Sequence, residues 1–316
     1  MNLYTQAQIM KSLNIQQATA LIEEGFIAYA QGRVQIPAVQ SLQFTANNGD
    51  CCVKSAWISG DEVFSVRVSA GFYDNPAKGL SSNDGLTLVF SALTGKPVAL
   101  LQDGGWLTSM RTALAGQIVA RAMAPSTVTG IGMVGAGDQA RMQLEQLMPV
   151  TGCRRLTVYG RDPQGLMRYR EFAEALGFEV ATTHYAQDVA THSNLIITAT
   201  PSREAIIASD WVRPGTHITA LGADGPGKQE LDIHLMARAD VIVVDSAEQC
   251  SQYGESAGAI KVGLIDKARL VAVGSVLSGD RPGRQDDRQI TVADLTGLGV
   301  QDTQIAKCAI AACANQ

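Results

Sequence analysis

The sequence is short of the features that announce many specialised roles. It has no Lys/Arg-rich run and a formal net charge of −5, so it lacks the electrostatic footprint of a nucleic-acid or anionic-membrane binder. No stretch approaches about 18 uninterrupted apolar residues, the length of a bilayer-spanning helix. The opening MNLYTQAQIMKSLNIQQ has no basic start followed by an apolar core, which leads us to expect a soluble, cytoplasmic protein. The six cysteines form no CxxC pair and no zinc spacing, and reduced thiols are the expectation. The four histidines, His184, His192, His217 and His234, are scattered, so no metal site is expected. What remains is an ordinary globular composition, 46% hydrophobic and 17% charged, over 316 residues, enough for two domains.

Two rhythms divide the chain. Residues 14–31 carry Ala18, Leu21, Ile22, Phe26 and Tyr29 at helical spacing, with Gly32 as a stop. Short runs rich in Val, Ile, Leu and Phe follow near 34–45, 51–58, 63–70, 85–92 and 97–103. Turn signals such as Asn47-Asn48-Gly49-Asp50 separate them, and this predicts an antiparallel meander. A long Ala-rich helix is predicted over 106–123, before Pro125. Beyond it strands near 128–134, 155–160, 194–199, 216–221 and 240–244 alternate with helices at 138–148, 163–176 and 229–238, the pattern of a covered parallel sheet. A last amphipathic helix is predicted at 302–314. The fold class is α/β: a Rossmann-type doubly wound parallel sheet plus an α+β domain with an antiparallel sheet.

The sharpest local signal is the strand Thr127–Val134 running into Gly135-Ala136-Gly137-Asp138-Gln139-Ala140. Gly135 permits a tight turn and Gly137 lets backbone approach a pyrophosphate. Ala140 is small enough for the helix to pack on the strand, and the phosphates lie at the helix N-terminus. The next strand ends Tyr159-Gly160-Arg161-Asp162. Gly160 occupies the place where NAD sites put a carboxylate for the ribose 2′-hydroxyl, and Arg161 follows at once. This arrangement suits a 2′-phosphate and predicts NADPH as the preferred cofactor, with NADH second. The competing reading makes Arg161 a solvated loop residue and gives the acid's role to Asp162.

Two further segments look chemical. Arg111 lies in Leu107-Thr108-Ser109-Met110-Arg111-Thr112-Ala113, on the first turns of the long helix, where its planar fork fits a substrate carboxylate or a structural ion pair. Asp224 lies in the Gly-rich turn Gly222–Lys228 at a strand's carboxyl end, as a ligand group or as a cap for the next helix.

Together these segments resemble the ornithine cyclodeaminase/mu-crystallin family over nearly the whole chain. The shared motifs are Gly79-Leu80-Ser81-Ser82, Thr94-Gly95-Lys96-Pro97, Leu107 to Ala113, Val134 to Ala140, Thr198-Ala199-Thr200-Pro201-Ser202, Gly222 to Asp232, and Thr296-Gly297-Leu298-Gly299-Val300-Gln301-Asp302. The resemblance implies a substrate-binding and dimerisation domain of residues 1–122 plus 296–316, and a Rossmann domain of 123–295. The substrate would lie in the cleft between them, and the protein would be a homodimer. It further implies that Arg111 binds a substrate carboxylate and that Asp224 lies near the reacting nitrogen. Ser82 matches the family's Ser/Thr, and Arg67 stands where the family has lysine. Thr198, Thr200, Leu221 and Lys228 flank the nicotinamide, and Thr296 joins the cofactor residues. Lys54 falls in the neighbourhood where ornithine cyclodeaminases place a carboxylate for the distal amine. Gln40 falls roughly where the family often has arginine.

These residues point to an NADPH-dependent ketimine reductase that converts Δ1-pyrroline-2-carboxylate to L-proline, with Δ1-piperideine-2-carboxylate, giving L-pipecolate, as a second small cyclic imino-acid substrate. Asp224 is expected to supply or stabilise the proton on the imine nitrogen, as a partly desolvated carboxylate. Arg111, Arg67 and Lys54 are the expected carboxylate clamp. Ornithine cyclodeaminase, alanine dehydrogenase and a mu-crystallin-like small-ligand-binding protein are the alternatives.

Overall fold

The computed structural model describes residues 1–314. In chain order its elements begin with β1 (Asn2–Thr5), α1 (Gln6–Ser12), α2 (Ile15–Ala30), β2 (Val34–Gln35), β3 (Gln40–Phe44), β4 (Gly49–Ile58), β5 (Val63–Phe72), β6 (Asn83–Ser91), β7 (Pro97–Gln102) and α3 (Trp106–Met123). There follow β8 (Ile131–Val134), α4 (Asp138–Leu147), β9 (Arg155–Tyr159), α5 (Pro163–Ala175), β10 (Glu179–Thr183), α6 (Ala186–His192), β11 (Leu195–Thr198) and β12 (His217–Ala220). The last are α7 (Ile233–Arg238), β13 (Val241–Val244), α8 (Ala247–Tyr253), α9 (Glu255–Lys261), β14 (Leu270–Ala272), α10 (Val273–Leu277), β15 (Thr291–Asp294) and α11 (Gly299–Ala314). The chain divides into two compact units, Met1–Arg111 with the chain from Leu298 onward, and Thr112–Gly297. The first division falls inside α3, about a turn and a half into it, where the sequence suggested a break after residue 122. The end of the expected span 296–316, residues 315 and 316, lies outside the described residues.

The first unit is built on a seven-stranded sheet ordered β1-β7-β6-β5-β4-β2, with β3 also on β4. Strands β4 to β7 form the expected antiparallel meander. The sheet as a whole is mixed, because β1 joins β7 in parallel, Asn2 opposite Ala99 and Thr5 opposite Gln102. Helix α2 starts at an Asn14 cap that accepts the Gln17 N–H and stops before Gly32, whose φ of +70° favours glycine. Ala18, Ile22 and Phe26 are buried on one of its faces. Helix α11 is buried from Gly299 through Ala306 and packs against α2 so closely that a Cβ on Gly25 would sit 3.1 Å from the Gln304 side chain. Each such large apolar side chain contributes roughly 1.5–3 kcal/mol when fully buried.

The second unit is an eight-stranded sheet ordered β10-β9-β8-β11-β12-β15-β13-β14, every neighbouring pair parallel. The strand order runs 3-2-1-4-5 outward from β8, so the direction of winding reverses between β8 and β11. The connections that leave these two strands, α4 after β8 and the loop after β11, therefore diverge and leave a crevice at the strands' carboxyl ends. Strands β8, β11 and β12 are buried throughout, as continuous apolar or small-residue runs must be when both faces are covered.

Candidate functional site

In the second unit the crevice opens as a cleft of about 1120 Å³ whose lining includes Gly135, Gly137, Arg161, Asp162 and Thr200. Gly135 has φ +112°, and a Cβ there would stand 2.8 Å from the Ala199 carbonyl oxygen, so two independent constraints require glycine. Gly137 has ordinary backbone geometry, and an added Cβ would meet nothing within 4 Å. The space beside it is open, at the N-terminus of the ten-residue α4, where backbone N–H groups and the helix dipole favour phosphate. Ala140 is fully buried and its carbonyl accepts the Tyr169 hydroxyl at 3.0 Å, which binds α4 to α5. These residues fit a dinucleotide. Asp138 and Gln139 lie on the first turn of α4, beside Ala136 and Gly137.

The far end of the cleft is cationic. Arg161 and Arg168 are exposed and line it, and Arg203 lines it further along. A Cβ on Gly160 would lie 3.0 Å from the Leu166 side chain, so a larger residue at this position has to push Leu166 aside. Asp162 lines the cleft too, yet its oxygens accept the Gln164 and Gly165 N–H groups at 3.1 and 2.9 Å as the cap of α5. Asp162 also pairs with Arg168 at 3.7 Å.

The residues expected beside the nicotinamide are organised by one that the sequence did not single out. Glu230 is fully buried. One of its oxygens accepts the Thr200 N–H and hydroxyl, both at 2.7 Å, and the other accepts the Thr198 hydroxyl at 2.7 Å and the Gly222 N–H at 2.8 Å. Thr198 therefore points to Glu230, not to the cleft. Thr296 is likewise buried and donates to Asp245 at 3.0 Å. Leu221 is buried, with its N–H on the Thr198 carbonyl. Burial pushes the Glu230 carboxyl up to about 7 against the pull of its four hydrogen bonds. Behind it Glu255 accepts the Glu230 and Leu231 N–H groups, and burial followed by repulsion from Glu230 holds it well above the usual carboxylate range. Asp294, at the end of β15, is pushed up by burial to about 6. The only advance signal for Glu230 was an acidic residue two before the helix cap Asp232.

Asp224 lies in the turn after β12, as expected, but its setting differs. Its side chain is half exposed and accepts the Lys228 ammonium at 2.7 Å, so within this unit it is not the desolvated carboxylate anticipated from its role. It does not cap the next helix either, because Asp232 does, accepting the His234 N–H. That helix starts at Ile233 and not at 229, since Glu230 and Leu231 are already committed to Glu255.

The first unit holds two buried guanidiniums. Arg67, on β5, is 1% exposed. Its Nη1 donates to the Thr87 hydroxyl at 3.1 Å and to Asp103, while Nε and Nη2 are buried with no partner among the described residues. Asp103 was not anticipated. It is fully buried and also accepts the Leu107 N–H, so it fixes Arg67 to the start of α3, the helix that carries Arg111. Arg111 itself is nearly buried, with Nε on Asp302 at 3.0 Å and Nη1 on Gln301 at 2.9 Å, which gives it the structural ion pair considered for it. Lys54 is directly opposite Arg67 across β4 and β5, which puts both side chains on one face of the sheet. Gln40 is opposite Val53, in the other phase of the pleat, and is exposed. The structure does not bring it together with Arg67. Ser82 is half-buried before β6, its carbonyl accepting the Phe72 N–H.

Among the described residues no helix is long and apolar enough to cross a membrane. The chain is 35% identical over 304 residues to alanine dehydrogenase of Archaeoglobus fulgidus, covering 96% of this chain and 92% of that one. A solved archaeal alanine dehydrogenase dimer with bound NAD superposes with a TM-score of 0.92 at 32% identity, over 100% of this chain and 96% of that one. Δ1-Pyrroline-2-carboxylate reductase of Thermococcus litoralis, solved with NADH and L-proline, superposes with a TM-score of 0.93 at 28% identity, over 100% and 98% of the two chains. The chain belongs to the ornithine cyclodeaminase/mu-crystallin family, whose model matches residues 1–313, as one of its oxidoreductases.

Proposed function

We propose that the protein is an NADPH-dependent ketimine reductase that converts Δ1-pyrroline-2-carboxylate to L-proline. The observation that carries this reading is the unpartnered Nε and Nη2 of Arg67, a buried, charged fork of the shape that a substrate carboxylate fills. Leaving such donors unsatisfied is costly, so an anion that receives them binds strongly. Arg111 and Lys54 supplement the charge, and Ser82 borders the same unit's site. Lys54, lying across from Arg67, suits an anionic substrate and disfavours the distal ammonium of ornithine.

A reduced nicotinamide supplies the hydride that reaches C2 of the imine. The protein's part is to hold the carboxylate and to keep a proton on the imine nitrogen, without which the carbon is a poor acceptor. Asp224, an ionised carboxylate held by Lys228, accepts the imine N–H and so stabilises that proton on the nitrogen. The product is the saturated amine, with two electrons and two hydrogens added across C=N. NADPH is preferred because Arg161 and Arg168 line the end of the cleft where a 2′-phosphate would lie, and Gly160 offers no carboxylate there. We place the assembly as a cytoplasmic homodimer.

A second reading has a specific basis. The 35% identity to an alanine dehydrogenase favours an open-chain imine formed from pyruvate and ammonia. Loss of NADPH absorbance is followed with pyrroline-2-carboxylate, with pyruvate plus ammonia, and with no substrate. The cyclic imine is expected to give the highest kcat/KM. A higher value with pyruvate plus ammonia overturns the proline assignment in favour of the second reading.

A further inference from the structure

We propose that Glu230 is a positioning residue of the hydride-transfer site, binding the ends of β11 and β12 into the wall on which the nicotinamide rests. The inference rests on the reading of the cleft as a NAD(P)H site and extends it to a residue that touches neither cofactor nor substrate.

The geometry is specific. The four donors on Glu230 come from two adjacent central strands of the sheet: Thr198 and Thr200 at and just beyond the end of β11, and Gly222 just beyond β12. The two strand ends are thereby clamped on a single carboxylate. Gly222 fits this clamp only because it lacks a side chain: a Cβ there would be 2.5 Å from the carboxylate and 2.1 Å from the Thr200 carbonyl oxygen. Thr200 also lines the cleft, and a Cβ on Gly135 would touch its methyl at 3.2 Å, so displacing Thr200 moves the surface of the cofactor site itself. Glu230 is in turn fixed from behind, through its own N–H, by Glu255. Among the described residues no Lys or Arg hydrogen-bonds to Glu230. Its strongly placed acceptors serve backbone and hydroxyl donors, which is how a carboxylate holds loops and not how it holds a charge partner.

Glu230→Gln is nearly isosteric but cannot reproduce the clamp. In one orientation its amide NH₂ faces the Thr200 N–H, and in the other it faces the Gly222 N–H, so one strand end is released either way. At about pH 8.5, where Glu230 is ionised, binding of NADPH is compared with binding of its fragment lacking the nicotinamide, ADP-ribose 2′-phosphate. We expect the fragment's Kd to stay within about twofold while NADPH weakens and kcat falls by roughly tenfold or more, the scale of losing a hydrogen bond to a charged group. Unchanged kcat, or equal weakening of both ligands, overturns the proposal, the second because it marks a residue that only supports the fold. Thr198→Val removes one donor from β11 at constant volume and keeps the test open if Glu230→Gln does not fold. It should lower kcat with the fragment's Kd again unmoved, and unchanged kcat overturns the proposal. Failure of the unmodified protein to bind both this fragment and ADP-ribose defeats the cofactor reading itself, and the proposal with it, whereas binding of ADP-ribose alone moves the same test to NADH.

Discussion

Replacing Arg67 by lysine separates the two jobs assigned to that side chain. Its Nη1 donates to Thr87 and Asp103, and its Nε and Nη2, without a partner among the described residues, are the donors proposed for the substrate. A lysine ammonium keeps the charge and three donors, so it retains Asp103 and the fold, but it lacks the planar fork. A hydrogen bond to a charged group contributes about 1.5–3 kcal/mol. With the charge retained, the loss is expected at about 1.4–2.8 kcal/mol, or roughly 10- to 100-fold in KM for the imine. The Kd for NADPH should not move, because the cofactor residues belong to the other unit. Arg67→Met is the contrast. It strands Asp103, fully buried, without its cation, and should cost about 3–5 kcal/mol of stability. The assay is steady-state kinetics over imine concentration, with a thermal melt alongside. A KM within about twofold of the parent for Arg67→Lys would refute the idea that the open fork receives the carboxylate.

Three other expectations follow from the same geometry. Arg161→Ala should weaken NADPH by roughly 1.5–3 kcal/mol and leave NADH nearly untouched, and equal loss of both in a titration would remove Arg161 from the 2′-phosphate. Asp224→Asn should keep NADPH affinity while slowing imine reduction by roughly 10²-fold, and an unchanged turnover number would take Asp224 out of the proton path. Glu230 and Asp294 are raised in the fold to about 7 and about 6, above the ordinary carboxylate values they regain on unfolding, so between about pH 4 and 7 the folded protein holds more protons than the unfolded chain. Their contribution to stability is present at low pH and is lost as pH rises through those values. Melting temperature should therefore fall from pH 5 to 7.5, with Glu230→Gln flattening part of the slope, and an identical slope in the variant would contradict the protonation assigned to Glu230.

What the sequence made legible was local. The strand, glycine turn and helix around Gly135 announce themselves within fourteen residues, because the tight turn and the helix start each demand particular residue types at fixed spacing. The parallel alternation after Thr127 was equally plain, since a strand covered on both faces must be apolar throughout. The long-range partners were not legible. Asp103 and Glu230 look like any acidic residue near a turn, and only the fold brings Arg67 to the one and Thr198, Thr200 and Gly222 to the other. Strand β1 escaped notice because four residues, Asn2–Thr5, carry too little periodicity to betray a parallel edge. Gln40 was misplaced because a count along the chain cannot see the pleat: β3 meets β4 in a register that opposes Gln40 to Val53, one residue out of phase with Lys54 and Arg67. The desolvation expected of Asp224 came from its assigned chemistry, whereas its surroundings in the unit give it Lys228 and solvent.

The central claim is that hydride passes from a reduced nicotinamide to C2 of an imino acid. The direct measurement incubates the protein with pyrroline-2-carboxylate and NADPH carrying deuterium at C4, in the two stereoisomers separately, and weighs the product. One stereoisomer should yield L-proline with a single deuterium on the α-carbon, and the other should yield unlabelled L-proline. Absence of deuterium from both products, or no proline at all alongside ammonia released from ornithine, would contradict the account.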